Sequence, residues 1–324
     1  MANLKISFAC GPYDRMDAIR DGSVRAEGVD IDYISIPSPR ELFDRMVLKK
    51  EFDASEMSSS ETIVHLCSGH SPFVALPVFP SRVFRQGNIF VSVKNGIKKP
   101  KDFEGKRIGV PLYSMTAAIV IKGLLADDYG VDLSGVTWVQ GAGDHVGAHG
   151  EDRPPPDIPG VKIIQNHSNK TLFQMLAAGE IDGYIGTGAP KNIGGGEVDL
   201  LFPNHVEIEK DYFKRTGIHP IMHLVAIRKE VYEKNPWIAK PLYKAFVEAK
   251  NRAWAEYHNT GANRSMFPWV WDHVAETEKV MGRDPWPYGV EANRATLESL
   301  VRNLRRQGMI NREPKLEEIF VPVD

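Results

Sequence analysis

Between residues 4 and 228, short runs with alternating apolar residues take turns with runs whose apolar residues recur every three or four positions. This succession of strand and helix signals argues for an α/β chain, and against a helical bundle or an all-β sandwich. "LKISFA" and "GVDIDYISI" read as strands, with "DRMDAIRDGSV" as a short helix between them. "SPRELFDRMVLKKE" reads as a helix with Ser38 as N-cap, Pro39 in the first helical position and Glu41 two positions on. "FDASEMS" is a short strand that runs into the hydroxyls of Ser58, Ser59 and Ser60, and "SETIVHLCSG" is the next helix.

A similar series begins near residue 94. "KRIGVP" is a strand, a helix starts near Ser114, "GVTWVQG" is a strand, and "NKTLFQMLAAGEIDGYIGTGAP" is a helix followed by a strand. The stretch "GAGDHVGAHGEDRPPPDIPG" is rich in Gly, Pro and Asp and reads as a surface loop. "IMHLVAIRKEV" then reads as a strand returning to the first half, and helices follow. The expected architecture is two α/β lobes with mixed sheets, residues 1–92 with 221–324 and residues 93–220. "NIFVSV" and "MHLVAI" would be the crossing strands, with a ligand cleft between the lobes. Such folds bind small anions at strand C-termini and helix N-termini.

Composition narrows the function. A length of 324 residues admits two domains, and a net charge of −2 without a basic block speaks against nucleic acid as a partner. No apolar run approaches the ~18 residues that span a bilayer, so no membrane is expected. The N-terminal "MANLKISFAC" enters a strand pattern at once, without a separate apolar leader, which leads us to expect a cytoplasmic protein. Cys10 and Cys67 form no metal motif and read as reduced thiols.

The candidate site residues are those whose chemistry suits a carboxylate ligand. Arg82 and Arg85 sit three apart before a strand, and a guanidinium offers a planar fork that matches a carboxylate. A solvated loop with ion pairs is the plainer reading. Asp14 and Arg15 follow the first strand; Asp14 can serve as a helix cap, whereas Arg15 in a first helical turn opposes the macrodipole. Ser58, Ser59 and Ser60 supply hydroxyls at a strand-to-helix junction, with Ser60 able to act as a cap. Tyr113, Ser114 and Thr116 occupy the corresponding junction of the second half. Thr187 lies in a loop of little side-chain bulk, and Asp182 reads as structural.

His219 and His223 flank Pro220, and in a strand residues four apart share a face. They are candidate proton-transfer groups, with Asp14 as the alternate. Buried, hydrogen-bonded imidazoles are the plainer reading, and His65 and His70 rank below them. Trp286 and Tyr288 read as packing. No third metal ligand stands at a suitable spacing, so no cofactor is expected, although a divalent metal is left open.

The stretches "YDRMDAIRDGSVRAEGVDIDY", "EFDASEMSSS", "PVFPSRVFRQGNIFV", "TGIHPIMHLVAIRKEV" and "PWPYGVEANRATLESLVRNLRRQG" resemble the 4,5-dihydroxyphthalate decarboxylases. The pieces "GKRIGVPLYSMTAA" and "LAAGEIDGYIG" are similar to the wider type 2 periplasmic-binding-protein fold. The resemblance implies a carboxy-lyase that converts 4,5-dihydroxyphthalate to protocatechuate and CO2. Its partner would be a small aromatic carboxylate, and a homo-oligomer is left open. A solute-binding protein that captures an aromatic acid without turnover is the alternative.

Overall fold

The computed structural model describes residues 2–145 and 153–323, so the middle of the loop expected over 141–160 lies outside the described residues. The chain forms two compact units. The first takes the residues up to Arg82, Phe213–Glu298 and those from Pro314 on; the second takes Val83–Tyr212 and Ser299–Glu313.

The first unit is built on β1 (Leu4–Cys10), β2 (Val29–Ser35), β3 (Ala54–Ser58), β4 (Phe73–Arg82) and β11 (Ile221–Arg228). Their order is β2-β1-β3-β11-β4. β1 runs parallel to β2 and β3, whereas β11 is antiparallel to both β3 and β4. The carboxyl ends of β1, β3 and β4 and the start of β11 therefore meet at one edge of the sheet. All five residues of β3 are buried, as a central strand covered on both faces requires. Phe8, Phe73, Leu76, Phe79, Leu224 and Val225 form part of the core, at about 1.5–3 kcal/mol for each fully buried large side chain.

Local chemistry sets the helix starts. Ser38 accepts from the Glu41 amide at 3.4 Å, with Pro39 opening the helix Pro39–Lys49 as expected. Ser58, rather than Ser60, caps the helix Ser59–Cys67, accepting from the Glu61 amide at 3.5 Å. Such a cap contributes about 1 kcal/mol.

The second unit carries β5 (Ile89–Ser92), β6 (Arg107–Val110), β7 (Thr137–Gln140), β8 (Lys162–Gln165), β9 (Gly183–Ile185) and β10 (Val198–Leu200). Their order is β10-β5-β9-β6-β7-β8. β6 is parallel to β7 and β9, and β5 is antiparallel to β9 and β10. Phe90, Val139, Leu172, Leu176, Ile181 and Tyr184 pack one face.

Among the described residues, β5 pairs with β9 and β10, and β11 with β3 and β4, so "NIFVSV" and "MHLVAI" each lie in the sheet of one unit. One expected boundary gives way. The stretch Ser299–Glu313, expected in the first lobe, packs in the second unit. The Asn303 amide lies against Gly123, and Gln307 Nε2 donates to the Ile119 carbonyl at 2.8 Å.

Candidate active site

In β3, alternation puts Glu56 and Ser58 on one face of the first sheet. His223 of β11 stands opposite Ser58, and on its other side opposite Ser81 of β4. Glu56 is thus the diagonal neighbour of His223, close enough for a side-chain bond. The His223 Nδ1–Glu56 Oε1 distance is 2.5 Å.

Glu56 is completely buried, and each of its carboxylate oxygens is engaged. The Tyr13 hydroxyl donates to Oε1 at 2.7 Å, and the Gly11 amide donates to Oε2 at 2.9 Å. The Cys10 thiol approaches Oε2 at 3.5 Å. Burial works against ionisation here, but His223, the Tyr13 hydroxyl and the Gly11 amide outweigh it and hold the carboxyl below its ordinary range. The same burial, with the Glu56 charge beside it, pushes the Cys10 thiol well above its usual value and keeps it protonated. Gly11 is required where it stands, because a Cβ there would lie 2.8 Å from the Tyr13 ring.

His223 keeps 17% of its side chain exposed, and the Phe43 ring meets it edge-on at 5.0 Å. Its Nε2 has no hydrogen-bond partner among the described residues. A buried carboxylate on one imidazole nitrogen and an open edge at the other make a group able to exchange protons with a bound molecule.

Arg15 supplies positive charge at the same sheet edge. Its guanidinium lies 4.2 Å from the Tyr13 ring centroid and 4.5 Å from that of Trp286. Nε donates to the Pro80 carbonyl at 2.5 Å, and Nη1 pairs with Asp14 at 3.0 Å. Sandwiched between two rings and 17% exposed, it is oriented without being consumed. Asp14 is the holder rather than a cap: Oδ1 accepts from Arg15, and Oδ2 accepts from the Tyr257 hydroxyl at 2.6 Å.

The remaining expected residues of this unit fall as follows. Ser58 and Ser60 hydroxyls lie 3.3 Å apart, while the Ser59 hydroxyl is buried without a hydrogen-bond partner among the described residues. Arg82 is buried at 4% exposure, with its fork turned to chain acceptors. Nη1 donates to the His219 carbonyl at 3.2 Å, and Nη2 donates to the Pro287 carbonyl at 2.6 Å and to Asn293 Oδ1. A carboxylate clamp is therefore not where its donors point. Burial pulls its guanidinium down to about 9.

His219 and His223 do not share a strand face. His219 precedes β11, and the pairing with β4 shifts register between Ile221 and His223. His219 is buried against Trp286, with Nδ1 3.4 Å from the Pro285 carbonyl. Burial, then the Arg82 charge, pull its imidazole down to about 3, so it stays neutral.

The second unit gathers Arg85, Tyr113, Ser114, Thr116 and Thr187 at the carboxyl edge of its own sheet. Arg85 is 6% exposed, with Nη1 donating to Asn88 Oδ1 at 3.2 Å. Burial pulls it down to about 10. The Tyr113 amide donates to Gln140 Oε1 at 2.9 Å, and burial pushes its phenol up to about 12. The helix Thr116–Tyr129 begins at Thr116 rather than Ser114, with Met115 at its N-cap position. Thr187 is exposed, and its carbonyl accepts from the Tyr184 hydroxyl at 2.6 Å. Asp182 is structural, accepting from Asn95 and from the Arg107 amide, both at 2.8 Å.

Sequence reading missed Glu56 and gave Tyr13 no role. The available signal was an acidic residue inside a short, fully buried strand, where a charge must find partners. Among the described residues, no group of three or more His, Cys, Asp or Glu side chains is placed to hold a metal, and no helix is long and apolar enough to cross a membrane. Cys10 and Cys67 are not joined in a disulfide.

Two mixed α/β units, each with its polar residues at strand carboxyl ends, define a periplasmic-binding-protein-like fold. The aliphatic sulphonate binding protein SsuA of Escherichia coli matches with a TM-score of 0.54 at 11% identity, covering 100% of this chain and 93% of that one. A putative sulfonate-binding protein of Methylobacillus flagellatus gives 0.53 at 13%, covering 99% and 93%. Residues 22–152 match the NMT1/THI5 like family model. At the sequence level the chain is 34% identical to 4,5-dihydroxyphthalate decarboxylase of Comamonas testosteroni, over 99% of this chain and 98% of the relative. It is 38% identical to the Pseudomonas putida protein of the same name, over 59% and 73%. The chain belongs to the 4,5-dihydroxyphthalate decarboxylase family.

Proposed function

We propose that this protein is a cytoplasmic carboxy-lyase that decarboxylates 4,5-dihydroxyphthalate to protocatechuate and CO2. The observation that carries this reading is the His223–Glu56 pair at 2.5 Å, set at a sheet edge beside the ring-held Arg15, in a chain of this family.

The chemistry asks for little more. Each carboxylate of the substrate is para to a phenol. Loss of that phenol's proton to solvent pushes an electron pair to the ring carbon bearing the carboxylate. A proton taken up on His223 Nε2, while Nδ1 keeps its own hydrogen towards Glu56, adds to this carbon and gives a dienone with a tetrahedral centre. The bond to the carboxylate then breaks, CO2 departs, and its electron pair restores the aromatic ring. The phenol regains a proton, so one proton is consumed per CO2 released and no organic cofactor is required. The retained carboxylate pairs with Arg15, whose Nη2 has no hydrogen-bond partner among the described residues, and the Ser58 and Ser60 hydroxyls assist.

The test is incubation of the purified protein with 4,5-dihydroxyphthalate, with and without chelator, following CO2 and protocatechuate together. Equimolar release of both is expected. Saturable binding with no CO2 would replace the enzyme with a solute-binding protein.

A further inference from the structure

We propose that Glu56 is a positioning residue that fixes the proton of neutral His223 on Nδ1 and so reserves Nε2 for exchange with the substrate. The assignment of Nε2 to catalysis rests on the decarboxylase reading; the tautomer itself does not.

An ionised carboxylate only accepts hydrogen bonds. Glu56 is locked in that role from three further sides, by Tyr13 on Oε1 and by Gly11 and Cys10 on Oε2. The His223 nitrogen facing Oε1 must therefore carry hydrogen, and that nitrogen is Nδ1. Rotating the imidazole by half a turn would set a ring C–H against a buried charge and forfeit the bond. The edge-on Phe43 ring at 5.0 Å further limits the ring's freedom. The groups facing Glu56 are thus Cys10, the Gly11 amide and Tyr13 from the end of β1 and the loop after it, and His223 from β11.

A glutamine at this position cannot reproduce the pattern. If its oxygen faces His223 and Tyr13, its NH2 meets the Gly11 amide donor head-on. If it turns over, its NH2 donates to Nδ1 and forces the proton of neutral His223 onto Nε2. Both leave the shape nearly unchanged; the first sets two donors against each other, which favours the second, and the second moves the hydrogen of the neutral ring from Nδ1 to Nε2. Glu56 acts through the imidazole throughout and never touches the reacting atoms.

The test uses the full chain with ring-15N histidine and long-range 1H–15N correlation spectra, in buffer alkaline enough for His223 to be neutral. His223→Gln identifies the signal by its loss among the ten histidines. The wild-type protein should show a protonated Nδ1 and a bare Nε2; a bare Nδ1 overturns the proposal without recourse to any Glu56 variant. In Glu56→Gln the protonated-Nδ1 population should fall, with kcat down about 10²- to 10⁴-fold and KM within about threefold. An unchanged tautomer, or kcat within threefold of wild type, also overturns it. A wild-type protein with the expected tautomer but no turnover of 4,5-dihydroxyphthalate would sink the decarboxylase reading and leave the positioning role of Glu56 standing.

Discussion

Replacing His219 with glutamine should flatten the acid side of the stability curve. The imidazole is buried, and its value is pulled from 6.5 to about 3, first by burial and then by the Arg82 charge. A depressed histidine binds its proton more readily in the unfolded chain. The stability it confers is complete above pH 6.5 and drains away as pH falls towards 3. Each unit of pH in that window removes about 1.4 kcal/mol, so the loss from this one group reaches about 2.7 kcal/mol by pH 4.5. In a unit of this size that corresponds to a fall in Tm of about 5–10 °C. Glu56 does not confound the window, since its carboxyl is held low and its contribution is lost only as pH falls further. Thermal melts of wild type and His219→Gln between pH 7.5 and 4.5 should converge as pH drops, after starting apart by whatever packing against Trp286 is lost. Parallel curves would show that His219 takes up a proton in place, and the account of its burial would be wrong.

Further outcomes follow from the other contacts. His223→Gln should lower kcat about 10²- to 10⁴-fold with little change in Tm, and a change confined to KM would remove it from proton transfer. Arg15→Ala should raise KM about 10- to 100-fold through lost charge-assisted bonds, measured by initial rates; an unaltered KM would move the retained carboxylate elsewhere. Arg82→Met should cost about 2–4 kcal/mol in urea unfolding, because the His219 and Pro287 carbonyls and Asn293 lose their donor. Weaker substrate binding at unchanged stability would instead restore it as a clamp. Gly123→Ala should destabilise by about 1–2 kcal/mol despite the better helix propensity of alanine, since its methyl would overlap the buried Asn303 amide.

The sequence made the frame readable where local chemistry decides. Ser38, Pro39 and Glu41 announce their helix, and the alternating runs announce the strands, because caps and periodicity act over a few residues. What it hid depends on distant pairing. Arg82 and Arg85 are three apart in sequence, yet one closes β4 in the first unit and the other precedes β5 in the second. Their identical chemistry says nothing about whether the acceptors waiting for them are ligand oxygens or backbone carbonyls. His219 and His223 promised a common face only if the strand already ran through Pro220, whereas β11 begins at Ile221 and its pairing with β4 shifts register between Ile221 and His223. Glu56 looks like a surface residue in composition. Its neighbours include Gly11, just after β1, and His223 of β11, 45 and 167 positions away, and no short window contains them.

The late return of the chain to the second unit has a consequence for biosynthesis. Ser299–Glu313 fills a place beside Gly123 and Ile119 that was laid down well over a hundred residues earlier. On the ribosome, the second unit must wait with a gap in its wall while Phe213–Glu298 is translated and the first unit receives β11 between β3 and β4. Neither half can be completed ahead of the other as an independent domain would be, and a nascent chain stalled before residue 299 exposes an unfilled groove to chaperones and proteases.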